Sequence, residues 1–463
     1  MSEHLQQCFA AHALLPQGWQ CNVLLRWNAQ GQFTQVLVDQ VPPQGVVQAV
    51  YVIPGMPNLH SHAFQRAFSG LTEYRGQVQD SFWSWRQLMY GFAQRISPDM
   101  LRQIATWLYA EMLEAGYTSV CEFHYVHHQP GGQPYASPTA MCEALLDAAQ
   151  TVGMGLTLLP VLYQSSGFGS QPAREDQRRF LQQTDALLGW IEALAPRCAA
   201  QGAAIGLAPH SLRAVPPQSL QQAVQGLHAL LPQAPVHIHI AEQVQEVQDC
   251  LAWSGQRPVQ WLLEHAPVDA RWCLVHATHM TTDEYARAAR SGAVAGLCPT
   301  TEANLGDGIF DLPQWLAHGG RWGVGSDSHV CVNVAEELML LEYGQRLQLR
   351  QRNVGASASH PAVATALLQQ AVAGGAQASA RPIAGLAVGQ QADFVLLSAD
   401  HVALAGLDAD QALAGHVFAS QRSSAVESVW VAGQQRVAQG RHALHTEAAH
   451  DFIRVRQQML AAS

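Results

Sequence analysis

Between residues 51 and 340 the chain repeats one arrangement, a strand-length apolar run followed by a longer stretch with helical spacing. The runs are the segment closing at Leu59, then YTSVCEF, GMGLTLLPVLY, AAIGLAPHS, APVHIHIAEQ, RWCLVHATHM, GAVAGLCPT and GRWGVGSDSH, eight in all. They are apolar almost throughout rather than at alternate positions, as strands covered on both faces are. Strands alternating with helices build parallel sheets, and eight such units match a (β/α)8 TIM barrel in the α/β class. An open doubly wound sheet is the alternative, but no Gly-rich first turn supports it. One of the intervening helices is plain. SPDMLRQIATWLYAEMLEAG starts on a Ser-Pro capping signal, carries apolar residues three to four apart, and stops at Gly116.

The two ends have a different character. Residues 1 to about 50 read as short strands and turns, NVLLRW, the NAQG turn, FTQVLVDQ and GVVQAVYVIP. Beyond about 345 comes a helical segment, SHPAVATALLQQAVAGGAQAS. Strand signals follow in GLAVGQQADFVLLSAD, LAGHVFAS and VESVWVAGQQRVAQG, with a hairpin turn expected at VAGQQR. The expected organisation is one small accessory β-sandwich, residues 1–50 with 376–463, around a barrel of residues 51–375.

Composition removes several functions. All 25 basic residues are Arg, so Schiff-base chemistry through a lysine and a carboxylated-lysine metal bridge are both excluded. The formal charge of -10 and the lack of a basic run argue against a nucleic-acid partner. No apolar run has membrane-spanning length, so no membrane partner is expected. The nine Cys are scattered without CxxC spacing, which suits a reducing compartment. MSEHLQQCFAAHALLPQGW lacks a basic segment followed by an apolar core, so no leader is expected and the cytoplasm is the default location.

The chemistry gathers where the strands end, which is where barrel enzymes place their sites. His60 and His62 close the first run; two residues apart in extended chain, their imidazoles point the same way. His237 and His239 lie in the fifth run with Glu242 beyond; His276 and His279 end the sixth; Asp327 and His329 end the eighth. The fourth ends with His210 and Arg213. A mononuclear site needs three or four protein ligands and room for water, and His60, His62, one histidine of the fifth run and Asp327 are candidates. A divalent ion there lowers the pKa of its water, Glu242 can carry a proton, His276 can polarise the attacked group and Asp327 can orient the water. That apparatus suits hydrolysis at a C–N carbon. His237 and His279 are expected to be structural or to hydrogen-bond a ligand, His329 to buttress a ligand or cap a helix, and His124, His127 and His128 to be loop residues.

PGMPNLHSH, HIHIAE, VHATH and GSDSH together resemble the amidohydrolase superfamily, in its metal-dependent deaminase branch, and GLAVGQQADFVLL resembles that superfamily's accessory β-sandwich. The resemblance implies one divalent metal per subunit, usually zinc, held by His60, His62, His239 and Asp327, with Glu242, His276 and Asp327 catalytic. It also implies a homodimer. Binuclear members use a carboxylated lysine on the fourth strand, where this chain reads LAPHSL. Within the branch, LHSHAFQRAFSGLTE, FWSWR, EFHYVHH and PHSLRAV are similar to the subgroup that deiminates N-formimidoyl-L-glutamate in histidine degradation. That likeness implies a small dicarboxylate substrate held by Gln65, Arg86, Tyr125, His210 and Arg213. The residue chemistry agrees, because guanidinium forks take carboxylates in a bidentate way that lysine cannot reproduce. The competing expectations are a deaminase of guanine, a related heterocycle or a chlorinated triazine, and a catalytically inert metal-binding scaffold.

Overall fold

A computed structural model describes residues 6–73, 82–420 and 423–461. The first five positions of the segment considered for a leader lie outside the described residues. Eight parallel strands form the barrel. In chain order they are Met56–Ser61, Tyr117–His124, Gly155–Leu162, a fourth in two pieces (Ala204–Ile205 and Ala208–Pro209), Val236–Ile240, Trp272–His276, Val294–Leu297 and Arg321–Val324. Apart from Ala204 and Arg321, every residue of these strands is buried, which is why the runs lack alternation. The barrel closes at two seams of isolated bridges. Ser61 pairs with Asp327 between the eighth and first strands, and Leu207 with Val236 and Ser211 with His239 between the fourth and fifth. The fourth strand breaks at Gly206, whose backbone lies against Pro235 so closely that a Cβ would meet the Pro235 carbonyl oxygen at 2.3 Å.

Helices cover this barrel as their caps and faces dictate. Pro98–Glu114 begins where the Ser97 hydroxyl accepts from the Met100 N–H, and it buries Leu101, Ile104, Ala105, Leu108 and Met112 against the second strand's side. Val363–Ser379 closes the mouth at which the strands begin. Its Gly374 and Gly375 lie against Trp322 and Pro57, His237 Nε2 donates to the Ala378 carbonyl at 2.8 Å, and Thr157 Oγ1 donates to the Ser379 carbonyl.

The chain ends share one eight-stranded sheet in the order Arg441–His442, Gln434–Ala438, Val426–Val431, Phe394–Leu397, Val47–Pro54, Gln6–Leu15, Gly18–Trp27, Phe33–Leu37. Trp27 stands three places from Phe394 in that order, a separation of roughly 14 Å if the sheet were flat. Their rings are 5.5 Å apart, Trp27 and Trp430 are 5.6 Å apart, and Trp27 Nε1 donates to the Gly433 carbonyl. The sheet therefore curls until its halves face each other over Trp27, Phe33, Phe394 and their apolar neighbours, giving a sandwich from one hydrogen-bonded surface. VAGQQR is the expected hairpin, with Ala432 and Gly433 both at positive φ between paired strands. LAGHVFAS is not a strand. It lies in the helix Ala409–Ala419, started by the Asp408 carboxylate accepting from the Gln411 N–H, a cap whose signal sits outside the apolar run itself. Gln6–Leu15, passed over in the sequence, is the strand that joins the N-terminal pieces to Val47–Pro54. Residues 50 and 51 are consecutive in that last strand, and residues 375 and 376 are consecutive in the helix that closes the barrel. Among the described residues no helix is long and apolar enough to cross a membrane.

Candidate active site

Five non-glycine residues hold positive φ just where strands five, six and eight run out: Ala241, His276, Ala277, Asp327 and His329. Such conformations cost energy and persist where surrounding bonds over-determine them. Here the Asp327 N–H donates to the His60 carbonyl at 3.0 Å and the His62 N–H to the Asp327 carbonyl, so the seam of the barrel itself fixes three of the expected ligands.

The side chains of His60, His62, His239 and Asp327 converge, all four buried. His60 Nε2 lies 3.1 Å from His62 Nε2, 2.9 Å from His239 Nε2 and 3.5 Å from Asp327 Oδ1. His62 Nδ1 donates to the Phe123 carbonyl at 2.8 Å and His239 Nδ1 to the His210 carbonyl at 3.1 Å. Those bonds leave lone pairs on the Nε2 atoms of both rings. His60 Nε2 thus faces two lone pairs and a carboxylate, with at most one proton for all three. A cation at the centre satisfies them together, and ligand separations of about 3.3 Å are what metal bonds of ~2.0–2.1 Å at tetrahedral angles require. The cluster is able to coordinate a divalent metal. Burial lowers His60 to about 3 and also lowers His62 and His239, keeping all three in the neutral, ligating form. Burial would raise Asp327, but the hydrogen bond from His60 and the positive charge of His276 hold it below the usual carboxylate range.

Beside the cluster, His276 Nε2 lies 3.7 Å from Glu242 Oε1 and 3.8 Å from Asp327 Oδ2, while its Nδ1 is 3.2 Å from Glu302 Oε1. Burial opposes charge on His276, but Glu242, Glu302 and Asp327 outweigh it and push the imidazole up to about 10. Burial lifts Glu242 to about 7, against the pull of His276 and Arg213. Glu302, in the short helix Pro299–Leu305, also accepts from the Cys298 N–H, so its oxygen aims at His276. The sequence carried no spacing signal for Glu302, because only the fold brings it to the sixth strand.

His62, His239, Glu242, His276 and Asp327 open onto a cleft which is also lined by Gln65, Arg86, Tyr125, His210 and Arg213. All the substrate-side candidates are therefore gathered in one place. Gln65 Nε2 donates to the Tyr125 hydroxyl at 3.0 Å. Arg86, on the helix Phe82–Ala93, donates from Nε to the Tyr90 hydroxyl and from Nη2 to the Tyr163 hydroxyl. Arg213 Nε stands 4.0 Å from Glu246 Oε1, and His210 lies 4.8 Å from the Tyr163 ring. Trp85, Met89, Tyr90 and Leu305 complete the lining, none of them marked by the sequence patterns.

The remaining candidates sit elsewhere. His237 is bonded at the far mouth of the barrel, and His279 Nε2 donates to the Asp307 carbonyl. His329 backs the cluster, bridging the hydroxyls of Ser61 and Ser326, and Ser61 in turn donates to Glu122 at 2.6 Å. His124 ends the second strand rather than lying in a loop, while His127 and His128 follow it; all three are buried.

Residues 51–436 match the model of the amidohydrolase family, and the chain belongs to that family. It is 50% identical over 452 residues to a formimidoylglutamate deiminase of Pseudomonas aeruginosa, spanning 98% of this chain and 99% of the relative. An 8-oxoguanine deaminase of the same organism is 27% identical over 84% of this chain and 82% of its own. Among solved structures, an amidohydrolase from Brucella melitensis superposes with a TM-score of 0.93 at 47% identity, covering 98% of this chain and 100% of its own. A zinc-bound adenosine deaminase from Xanthomonas campestris shares the fold with a TM-score of 0.80 at 20% identity, over 98% of each chain.

Proposed function

We propose that this protein hydrolyses N-formimidoyl-L-glutamate to N-formyl-L-glutamate and ammonia, a deimination at the C–N bond of a linear amidine, in histidine degradation. The observation that carries the reading is the placing of two buried guanidiniums, Arg86 and Arg213, in the same cleft as the His–Asp cluster and Glu242. The half-identical relative named for that activity supports it. A flat heterocycle has no carboxylates for the forks of two arginines to receive.

His60, His62, His239 and Asp327 are assigned as the ligands of one divalent ion, zinc by preference. When bound, it supplies Lewis acidity and a water acidic enough to react near neutral pH. The chain's own groups do the rest. Gln65, Arg86, Tyr125, His210 and Arg213 fix the glutamate portion and so hold the formimidoyl carbon over the cluster. Asp327 orients the water as it adds to that carbon, and the water's two protons pass one to Glu242 and one to Asp327. Glu242, poised near 7, delivers a proton to the terminal nitrogen. That C–N bond breaks, ammonia leaves, and the water oxygen remains as the formyl oxygen. His276, held by Glu302, steadies charge on the attacked group as it develops. The same reading makes the protein a cytoplasmic homodimer.

The test is ammonia release from formimidoylglutamate, formimidoylglycine and guanine, each with and without a chelator. Formimidoylglutamate alone should turn over well, and chelation should abolish the activity. Comparable rates on guanine would move the assignment to heterocycle deamination.

A further inference from the structure

Arg86 is held by two phenols whose proton bookkeeping comes out uneven. Tyr90, one helical turn beyond Arg86, and Tyr163, just past the third barrel strand, are both buried with hydroxyls 3.3 Å apart. Arg86 Nε donates to the Tyr90 oxygen at 2.6 Å and Nη2 to the Tyr163 oxygen at 3.0 Å. Gln177 Nε2 donates to the Tyr163 oxygen at 2.8 Å and reaches the Tyr90 oxygen at 3.5 Å. The orientation of that amide is fixed at its other end, where Oε1 accepts the Arg174 backbone N–H at 2.9 Å. Apart from each other, the hydrogen-bonding neighbours of the two hydroxyls among the described residues are therefore all donors.

A hydroxyl has one proton to give and two lone pairs to accept with. Tyr163 accepts from Arg86 and Gln177, which fills its lone pairs, so its proton goes to Tyr90. Tyr90 then accepts from Arg86 Nε and from Tyr163, the Gln177 contact at 3.5 Å being too long to fill a lone pair, and its own proton meets no acceptor among the described groups. The reverse direction would ask Tyr163 to accept three times and leave its proton stranded deeper in the protein. Of the two phenols, Tyr90 is the one that lines the cleft. We propose that Tyr90 is a further substrate-binding residue, donating its hydroxyl proton to the substrate carboxylate that Arg86 receives, with Tyr163 and Gln177 as positioning residues that force the direction of donation. The inference rests on the functional reading above and adds to it a neutral donor beside the guanidinium.

The experiment compares Tyr90→Phe with Tyr163→Phe in the zinc-loaded enzyme. It measures kcat and KM on formimidoylglutamate, N-formyl-L-glutamate binding by calorimetry, and melting temperature to establish folding. A hydrogen bond to a charged group is worth about tenfold to a hundredfold in affinity. Tyr90→Phe should raise KM by about that factor, weaken product binding in parallel and lower kcat much less, while Tyr163→Phe has the smaller effect because it leaves the donor in place. An increase under about fivefold for Tyr90→Phe, or an effect of Tyr163→Phe as large as that of Tyr90→Phe, overturns the proposal. The second outcome would mean that the phenols only hold Arg86. A wild-type enzyme that does not turn over formimidoylglutamate overturns the functional reading itself, which the variants would not touch.

Discussion

Glu122 is the single acid in the second barrel strand, fully buried behind the ligands of the first. Its carboxylate accepts from the Ala63 N–H at 2.7 Å, from Ser61 Oγ at 2.6 Å and from the Tyr109 hydroxyl at 3.1 Å. Burial outweighs those bonds and raises the group from 4.5 to about 7. Between those values the folded protein keeps a proton that the unfolded chain has lost. The resulting stability is full below the unfolded value and is lost as pH climbs through the folded one, by at most about 1.4 kcal/mol per pH unit. Denaturant melts of wild type and Glu122→Gln should show a stability difference that shifts toward the variant as pH rises through this window. A difference independent of pH would contradict the assignment. The cluster residues were legible in the sequence as strand-end candidates, although spacing alone left His237 and His239 both open and only the family resemblance chose between them. Glu122 left a weaker trace, an acid inside an otherwise apolar run, while Glu302, Tyr90 and Tyr163 left none, since their roles depend on neighbours far away in the chain.

At the scale of an element, the helix Val363–Ser379 shows how local preference and packing compete. Gly374 lies mid-helix, where exchange for alanine should by propensity alone stabilise by about 1 kcal/mol. Yet a Cβ there would stand 2.0 Å from the Trp322 carbonyl oxygen, backbone that cannot move without displacing the eighth strand. Gly374→Ala should therefore lower stability by about 1–3 kcal/mol, read as a fall in melting temperature, and a rise would show that the close approach has been misjudged. The helix was legible from its spacing, whereas the reason for its glycines was not, because that reason is the barrel floor. The helix Ala409–Ala419 failed as a sequence expectation for a related cause. Its apolar residues fit either period over so short a run, and the deciding feature was the Asp408 cap outside it.

The whole molecule follows from two closures, a barrel sealed by bridges at Ser61–Asp327 and Ser211–His239 and a terminal sheet curled over Trp27. Both barrel seams involve segments that carry residues of the His–Asp cluster, so the cluster is built where the sheet closes. The eight-strand count was visible because each run is buried on both faces. The curl was not, because it depends on Trp27 meeting Phe394 and Trp430 across strands that are not neighbours. On this reading the closure gathers one four-residue metal site, and hydrolysis depends on it. That dependence is tested most directly by stripping the protein with a chelator, returning zinc in steps, and following ammonia release from formimidoylglutamate against bound metal. Activity should be absent from the stripped protein, rise in proportion to zinc and level off at one ion per chain. Turnover by the metal-free protein, or a plateau reached only at two ions per chain, would rule out a single essential metal site.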